Sequence, residues 1–474
     1  MPPASPSSSS DAPASKDFPT DPTDPASPTA TAVSDQRVEA PLVLDTEPPR
    51  TLRFRDHFAL WMNLGVSLIG FSTAATVLGA KGSELSLAAA VTAIVTGTAV
   101  GTAMLGVAAL IGARTGAPAM ANLRGLFGTR LSYLPTVLNI VQCIGWGVFE
   151  LLTIAAGAQT VAHTTGYRWL FVLLAGALTT ALTIWPLGSI AVLRRFVAGA
   201  VAVAMVYFTV QLGRQGVPDP GAGNWHGFLG ATDAMIAVSI SFVPMAADYT
   251  RHSRTPRSAF WGSFSGYTVA QVWCYVLGLM ALLQSDGDPS RIFDSFLGVW
   301  AGWLFLLVLV LRETDQSFAN VYSTAMSLQN LLPRVDRRVL SGAIGVLTTV
   351  LALRIDRFTD TYSNFLGLIG SVFVPLLAVL AVDYFFGAGR HGWNLSERAP
   401  SRWTMLLPWL LGFAVYQFIA PTAVADWWVD FWTSAQQALH FTPQEWTSAS
   451  LFAFLVPAAA TAMLAPLTRR AVRG

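Results

Sequence analysis

The sequence predicts an all-α polytopic membrane protein with about twelve transmembrane helices. Three observations carry that expectation. Apolar residues make up 53% of the 474 and charged residues only 12%, with a mean hydropathy of +0.50, whereas a soluble chain carries about 25% charge. The apolar residues fall in long blocks, most of them near the ~20 residues that cross a ~30 Å hydrocarbon core. Arginine concentrates in every second interval between blocks, the alternation that the positive-inside rule produces.

Residues 1–50 differ in kind from the rest. They are rich in Pro, Ser, Ala and Asp, and lack the apolar residues needed to offset the entropy of ordering. A disordered cytoplasmic tail is expected there. A secretory signal is not, for it needs a basic start and an apolar core.

From Phe58 onward the blocks recur at 58–80, 87–112, 132–162, 167–185, 190–212, 228–250, 259–284, 297–329, 338–353, 362–386, 403–421 and 448–466. The eighth is too long to stand upright throughout and is expected to tilt or protrude. An even number of spans puts both termini on one side. The intervals carrying Arg114, Arg124 and Arg130, then Arg194 and Arg195, then Arg251, Arg254 and Arg257, then Arg334, Arg337 and Arg338, then Arg390, Arg398 and Arg402 belong to that side. The opposite intervals set Asp219, Asp286, Asp288, Asp294, Asp426, Asp430 and Glu445 against fewer basic residues. Cytoplasmic termini and a plasma-membrane location follow. Trp427, Trp428, Trp432 and Trp446 are expected to anchor the outer interface.

The composition also excludes. Cys143 and Cys274 both sit in apolar blocks, which rules out a disulfide scaffold or a thiolate cluster. The six histidines show no metal-ligand spacing, and neither a Walker motif nor a nucleophile triad is legible. A net charge of +2 gives no reason to expect nucleic acid as a partner. No enzyme, cofactor or obligate protein partner is expected. The expected partners are the lipid bilayer and a small solute.

Polar residues inside the blocks say more, because a charge in a spanning helix costs about 2.5–3.5 kcal/mol on insertion scales. Gln142, Trp146 and Glu150 recur at i, i+4 and i+8 and so share one helix face. An indole beside a carboxylate suits a flat, hydrogen-bonding ligand; a protonated structural carboxyl is the bland alternative. The eighth block runs Arg312-Glu-Thr-Asp-Gln-Ser317-Phe-Ala-Asn320, which lipid cannot face, so it lines protein or a wet cavity. Asp315, Gln316 and Asn320 there offer oxygens and amides for a cation and a heterocycle, unless Arg312 merely neutralises Glu313 or Asp315. Gly65 and Gly70 flank Ser67 in the first block, permitting a break that frees carbonyls, or else marking close helix contacts. Pro244, just beyond Ser239 and Ser241, interrupts the sixth. First and sixth helices correspond in an inverted repeat, so paired interruptions point to a binding site.

These residues resemble the nucleobase–cation symporter-1 family, the purine–cytosine permease-like transporters. The resemblance rests on Gly112-Ala-Arg114-Thr-Gly116-Ala-Pro118-Ala-Met120 followed by Arg124-Gly-Leu-Phe127-Gly128, on Gly145-Trp146, and on Pro244-Met-Ala-Ala-Asp248-Tyr-Thr-Arg251. Asn320-Val-Tyr-Ser323, Asn364 to Gly370, Pro375 and Asp383-Tyr384 complete it, in family order across about residues 55–390. It implies a LeuT-like 5+5 inverted repeat over 51–390, with two additional helices and a short cytoplasmic tail in 391–474. It implies a symporter importing a nucleobase or related heterocycle, such as cytosine, a purine, allantoin, a hydantoin or hydroxymethylpyrimidine, coupled to Na⁺ or H⁺ by alternating access.

Within that family's pattern Trp146 takes the place of a stacking aromatic, and Glu150 that of an amide or acid on the substrate. Asn320 takes that of a substrate-side asparagine. Gln142, Ser239, Ser241, Phe242 and Gln316 complete the candidate substrate set; the family's pattern implies a second stacking aromatic near Ser239, and the sequence departs from it there, with Phe242 the aromatic at hand. Thr314 and Asp315, facing backbone carbonyls from Val66 to Ile69, form the candidate cation site, although Asp315 replaces a hydroxyl there. Beside this reading stand a passive channel or facilitator and a non-transporting membrane sensor.

Overall fold

A computed structural model describes residues 48–78, 85–184, 190–216, 223–285, 287–332, 335–355 and 358–473. The expected tail lies outside the described residues up to position 47, and so does the side chain of Asp315. Among the described residues the chain is helical, and two isolated bridges, Leu52 with Ser253 and Leu85 with Asn224, stand in place of strands.

The first span is two helices, α1 (Phe54–Gly65) and α2 (Leu68–Leu78), bent by 64° at Val66 and Ser67. The second is α3 (Leu87–Thr115), and a short helix α4 (Ala119–Phe127) lies in the loop after it. Then come α5 (Tyr133–Val161), α6 (Arg168–Ile184) and α7 (Ile190–Arg214). The sixth span is broken again, into α8 (Phe228–Ile240) and α9 (Val243–Thr250), and α10 (Pro256–Gln284) is the seventh. A single turn, α11 (Asp294–Leu297), precedes α12 (Gly302–Leu331), α13 (Arg337–Arg354), α14 (Phe358–Phe386) and α15 (Leu406–Ile419). An amphipathic helix α16 (Asp426–Ala438) leads to the last span, α17 (Ala449–Arg473).

By length and apolar composition alone, six of the described helices would cross a membrane, or seven with the bent pair. The shorter apolar helices α6, α7 and α15 join them, together with α13 and the polar α12, giving twelve where the blocks stood. The eighth block differs from expectation. It divides at Ala301, whose left-handed φ of 53° separates α11 from α12. The remaining 30 residues of α12 still reach about 45 Å at 1.5 Å each, longer than the hydrocarbon core.

Helices gain no hydrophobic drive against each other in lipid, so small residues that admit close backbones do the packing. A Cβ on Gly97 would stand 2.5 Å from the Thr232 carbonyl, and one on Gly112 would stand 2.6 Å from Ala247, which seats α3 on α8 and α9. Gly262, Gly266 and Gly278 let α10 lie against both α1 and α2. Gly65 belongs to this set: its Cβ would meet that of Ala270 at 2.7 Å. Gly70 approaches Cys274 at 3.1 Å. These two glycines are close contacts, and the break lies between them.

Two packed groups result. Helices α1, α2, α3, α8, α9 and α10 form one; α5, α6, α12 and α13 form the other. Connections sort by end as the arginine alternation requires. Leu52 pairs with His252 and Arg254, Arg50 donates to the Ala113 carbonyl and Arg402 to that of Gly125, so the arginine-rich loops meet. At the other end Ser86 meets Asn224, Asp233 accepts from Ser448 and Ala449, and His226 meets Glu445.

Candidate functional site

Both breaks open onto one cavity of about 40 Å³, between the two packed groups. Leu64, Gly65, Ser67, Ile69, Gly70 and Thr73 line it from the first span, and Ser241, Phe242 and Met245 from the sixth. Trp146 and Glu150 come from α5, Tyr267, Gln271 and Tyr275 from α10, and Gln316 and Asn320 from α12.

The structure thus brings together Trp146, Glu150, Ser241, Phe242, Gln316 and Asn320, as the sequence predicts. Two expected lining residues stand behind the wall instead. The Gln142 amide donates at 2.8 Å to the Ser241 carbonyl and so fixes the second break. The Ser239 hydroxyl donates at 2.8 Å to Gln271 Oε1, which holds that lining residue in place. Each stands one layer out, bonded to a neighbour of the cavity.

Aromatic rings form much of the wall. Trp146 packs edge-on against Tyr362 and Phe365, with centroids 5.9 and 5.3 Å away. Opposite, Phe242 meets Tyr267 at 5.1 Å, and Trp61 backs both. Phe242 is an aromatic residue of the sixth span that lines the cavity.

Buried polar atoms are nearly always paired, so the exceptions here are informative. Glu150 Oε1 accepts from Asn320 Nδ2 at 2.8 Å, while Oε2 is buried without a hydrogen-bond partner. Trp146 Nε1 and the Tyr275 hydroxyl are in the same condition. All three belong to residues lining one cavity, and they supply an acceptor, a donor and a hydroxyl.

At the first break, α12 meets both severed ends. Glu313 accepts from the Ser67 hydroxyl at 2.6 Å and from the Leu68 amide at 2.8 Å. Arg312 donates at 2.6 Å to the Asn63 carbonyl, and Gln316 at 2.7 Å to that of Leu64. Within the stretch from Val66 to Ile69 expected to supply carbonyls to a cation, the groups that Glu313 meets are the Ser67 hydroxyl and the Leu68 amide. What α2 presents there is amides, because a helix start exposes N–H groups. The Ile69 carbonyl accepts from Thr73. Thr314 is buried outside the cavity wall.

Residues of α10 escaped the sequence reading, although Tyr267, Gln271 and Tyr275 repeat the i, i+4, i+8 spacing of Gln142, Trp146 and Glu150. Glu313 was legible only as a charge needing a partner. The motif between α3 and α4 proves to be a joint. Gly116 ends α3 with a left-handed φ of 67°. Pro118 precedes α4, and Asp248 accepts from the Ala119 amide at 2.8 Å. Arg114 lies 5.5 Å over the Phe385 ring. Asp383 binds Arg402 through two bonds of 2.7 and 2.8 Å and accepts from Trp393.

Two inverted halves, each opening with a broken helix, around a cavity shared by both breaks define a multi-pass membrane transporter of the LeuT-like class. A family model described as permeases for cytosine and purines, uracil, thiamine and allantoin matches residues 46–394, and the chain belongs to that family. It is a permease and not an enzyme.

Relatives agree. The putative purine-cytosine permease YxlA of Bacillus subtilis (strain 168) is 26% identical over 364 residues, covering 71% of this chain and 76% of that protein. The purine-cytosine permease FCY2 of Saccharomyces cerevisiae is 21% identical over 362 residues, covering 69% and 67%. The inward-facing structure of Mhp1 superposes with a TM-score of 0.68 at 16% identity, over 90% of this chain and 95% of that one. A closed form of Mhp1, a nucleobase–cation-symport-1 transporter with bromovinylhydantoin bound, gives 0.66 at 18% identity, over 90% and 97%.

Proposed function

We propose that this chain imports a nucleobase or a related planar heterocycle, such as cytosine, a purine, allantoin or a hydantoin, by alternating access coupled to Na⁺ or H⁺. The observation that carries the proposal is the cluster of unpartnered Glu150 Oε2, Trp146 Nε1 and Tyr275 hydroxyl on an aromatic-walled cavity at both helix breaks. A planar ligand with N–H donors pairs the carboxylate and covers the indole face, and Asn320 holds the carboxylate in orientation. Phe242 serves as the opposite wall, Gln316 and Ser241 border the ring edges, and Gln142 and Ser239 position their neighbours. The names of the two relatives and the hydantoin in the Mhp1 complex support the same ligand class.

A cavity of 40 Å³ holds roughly three waters at about 10–15 Å³ each. A heterocycle therefore enters only as the two packed groups part or the wall rings turn, and such rocking opens the site to one face at a time. The arginine-rich end with both termini is cytoplasmic in this reading and the membrane is the plasma membrane. Residues 51–390 form the moving core, and 391–474 add two membrane-spanning helices, α15 and α17.

Uptake of a radiolabelled heterocycle panel into proteoliposomes, with imposed ion gradients and counterflow, tests the proposal. Accumulation above the external concentration is expected. Equilibration without accumulation would mark a passive facilitator, and no uptake of any member would remove the ligand assignment.

A further inference from the structure

Arg312 and Glu313 are neighbours on α12, yet they serve opposite ends of one broken helix. Arg312 holds the last carbonyls of α1 through Asn63, with Gln316 on Leu64 beside it. Glu313 holds the first amide of α2 and the Ser67 hydroxyl. A helix ends in partial negative charge and begins in partial positive charge. Each severed end therefore faces a side chain of opposite sign, and both side chains are buried, at 2% and 0% exposure.

Carbonyl ends of half-helices are where folds of this kind coordinate small cations. Here the Asn63 carbonyl is taken by Arg312 and that of Leu64 by Gln316. Arginine stays protonated in proteins and its guanidinium is fixed by the chain, so a free cation approaching the Asn63 carbonyl meets a like charge already bonded to it, and the Leu64 carbonyl beside it already accepts from the Gln316 amide.

We infer that Arg312 is a tethered cation that joins the end of α1 to α12 as a bound Na⁺ would, so that the transport cycle uses no Na⁺. Of the two coupling ions proposed above, this leaves H⁺. The inference rests on the transporter reading for its meaning, but its cation chemistry is testable without substrate.

Purified full-length protein in lipid nanodiscs is melted in rising NaCl against choline chloride at fixed ionic strength. The wild type is expected to melt at the same temperature in both salts. Arg312→Ala bares the Asn63 carbonyl and keeps the Glu313 carboxylate, while Gln316 still holds the carbonyl of Leu64. It should melt lower in choline chloride and recover by several degrees in NaCl alone, whereas Arg312→Lys should remain indifferent to Na⁺. Stabilisation of the wild type by Na⁺ over choline overturns the inference, and that measurement decides even if Arg312→Ala does not fold. A folded Arg312→Ala that fails to distinguish the salts overturns it as well. Initial uptake rates in Na⁺ and choline media form a separate arm. Equal rates support the inference, and a Na⁺ requirement refutes it. If no heterocycle moves in either medium, the transport reading fails while the melting result stands.

Discussion

Replacing Glu150 by Gln exchanges one atom of the site with little else disturbed. In the wild type Oε1 accepts from Asn320 Nδ2 at 2.8 Å and Oε2 is unpartnered. The amide keeps its oxygen toward Asn320 and turns an N–H₂ group toward the cavity, so an acceptor becomes a donor. A ligand that offered an N–H to the carboxylate loses a hydrogen bond to a charged group, worth roughly 1.5–3 kcal/mol. At about 1.4 kcal/mol per tenfold, that is a weakening of roughly 10- to 150-fold. A ligand presenting a ring nitrogen or carbonyl at the same point should hold its affinity or gain. Competition of labelled uptake by a panel differing only in donor and acceptor placement measures both. Stability should change by less than about 1 kcal/mol, since the Asn320 bond persists. A uniform loss across the panel, with the ranking intact, would refute the contact and return Glu150 to a structural or proton-carrying role.

Trp146→Ala should weaken apparent affinity by about tenfold or more while expression persists, because ring contact contributes about 0.5–1.5 kcal/mol beyond buried area; Trp146→Phe should retain part of it, and equal affinity in all three would remove the stacking role. Gly97→Val drives side-chain atoms against the Thr232 carbonyl, and overpacking of this kind costs about 1–3 kcal/mol, seen as a lower melting temperature. Asp383→Asn leaves Arg402 without its two-bond partner; breaking a buried pair costs about 3–5 kcal/mol, and a monodisperse, equally stable variant would contradict this. In the α9–α10 loop, burial holds the His252 imidazole below its ordinary 6.5, against the raising effect of the Pro49 carbonyl it donates to. Its contribution is thus complete above pH 6.5 and is lost as pH falls through the lower folded value. Melting temperature should drop less on acidification in His252→Gln, and equal slopes would exclude the histidine.

The twelve spans were legible because lipid imposes them: apolar length and arginine sidedness are properties of consecutive residues. Half of the site was legible for a similar reason. Trp146 and Glu150 share a face through helix geometry alone, and Asn320 sits in a run that no lipid-facing helix could carry. The other side of the cavity was hidden by its blandness. Tyr267 and Tyr275 pass as ordinary aromatic residues of an apolar block, and only Gln271 between them departs from that pattern.

The first break shows where sequence reasoning stops and why. A charged run on α12 announces that something must satisfy it, but not which end of which helix it meets. That depends on how far α12 slides along the first span. One helix position separates Arg312 from Glu313, and the two bond to Asn63 and to Ser67 and Leu68 on opposite sides of the break. Move the contact by a turn and the carboxylate would face carbonyls, an arrangement that asks for a cation between them. In the observed register the carboxylate meets the Leu68 amide and the guanidinium the Asn63 carbonyl, so the dipoles of α1 and α2 are answered by the protein itself. The same residues in the same order would serve either chemistry, and the packing of α12 on the broken span decides between them.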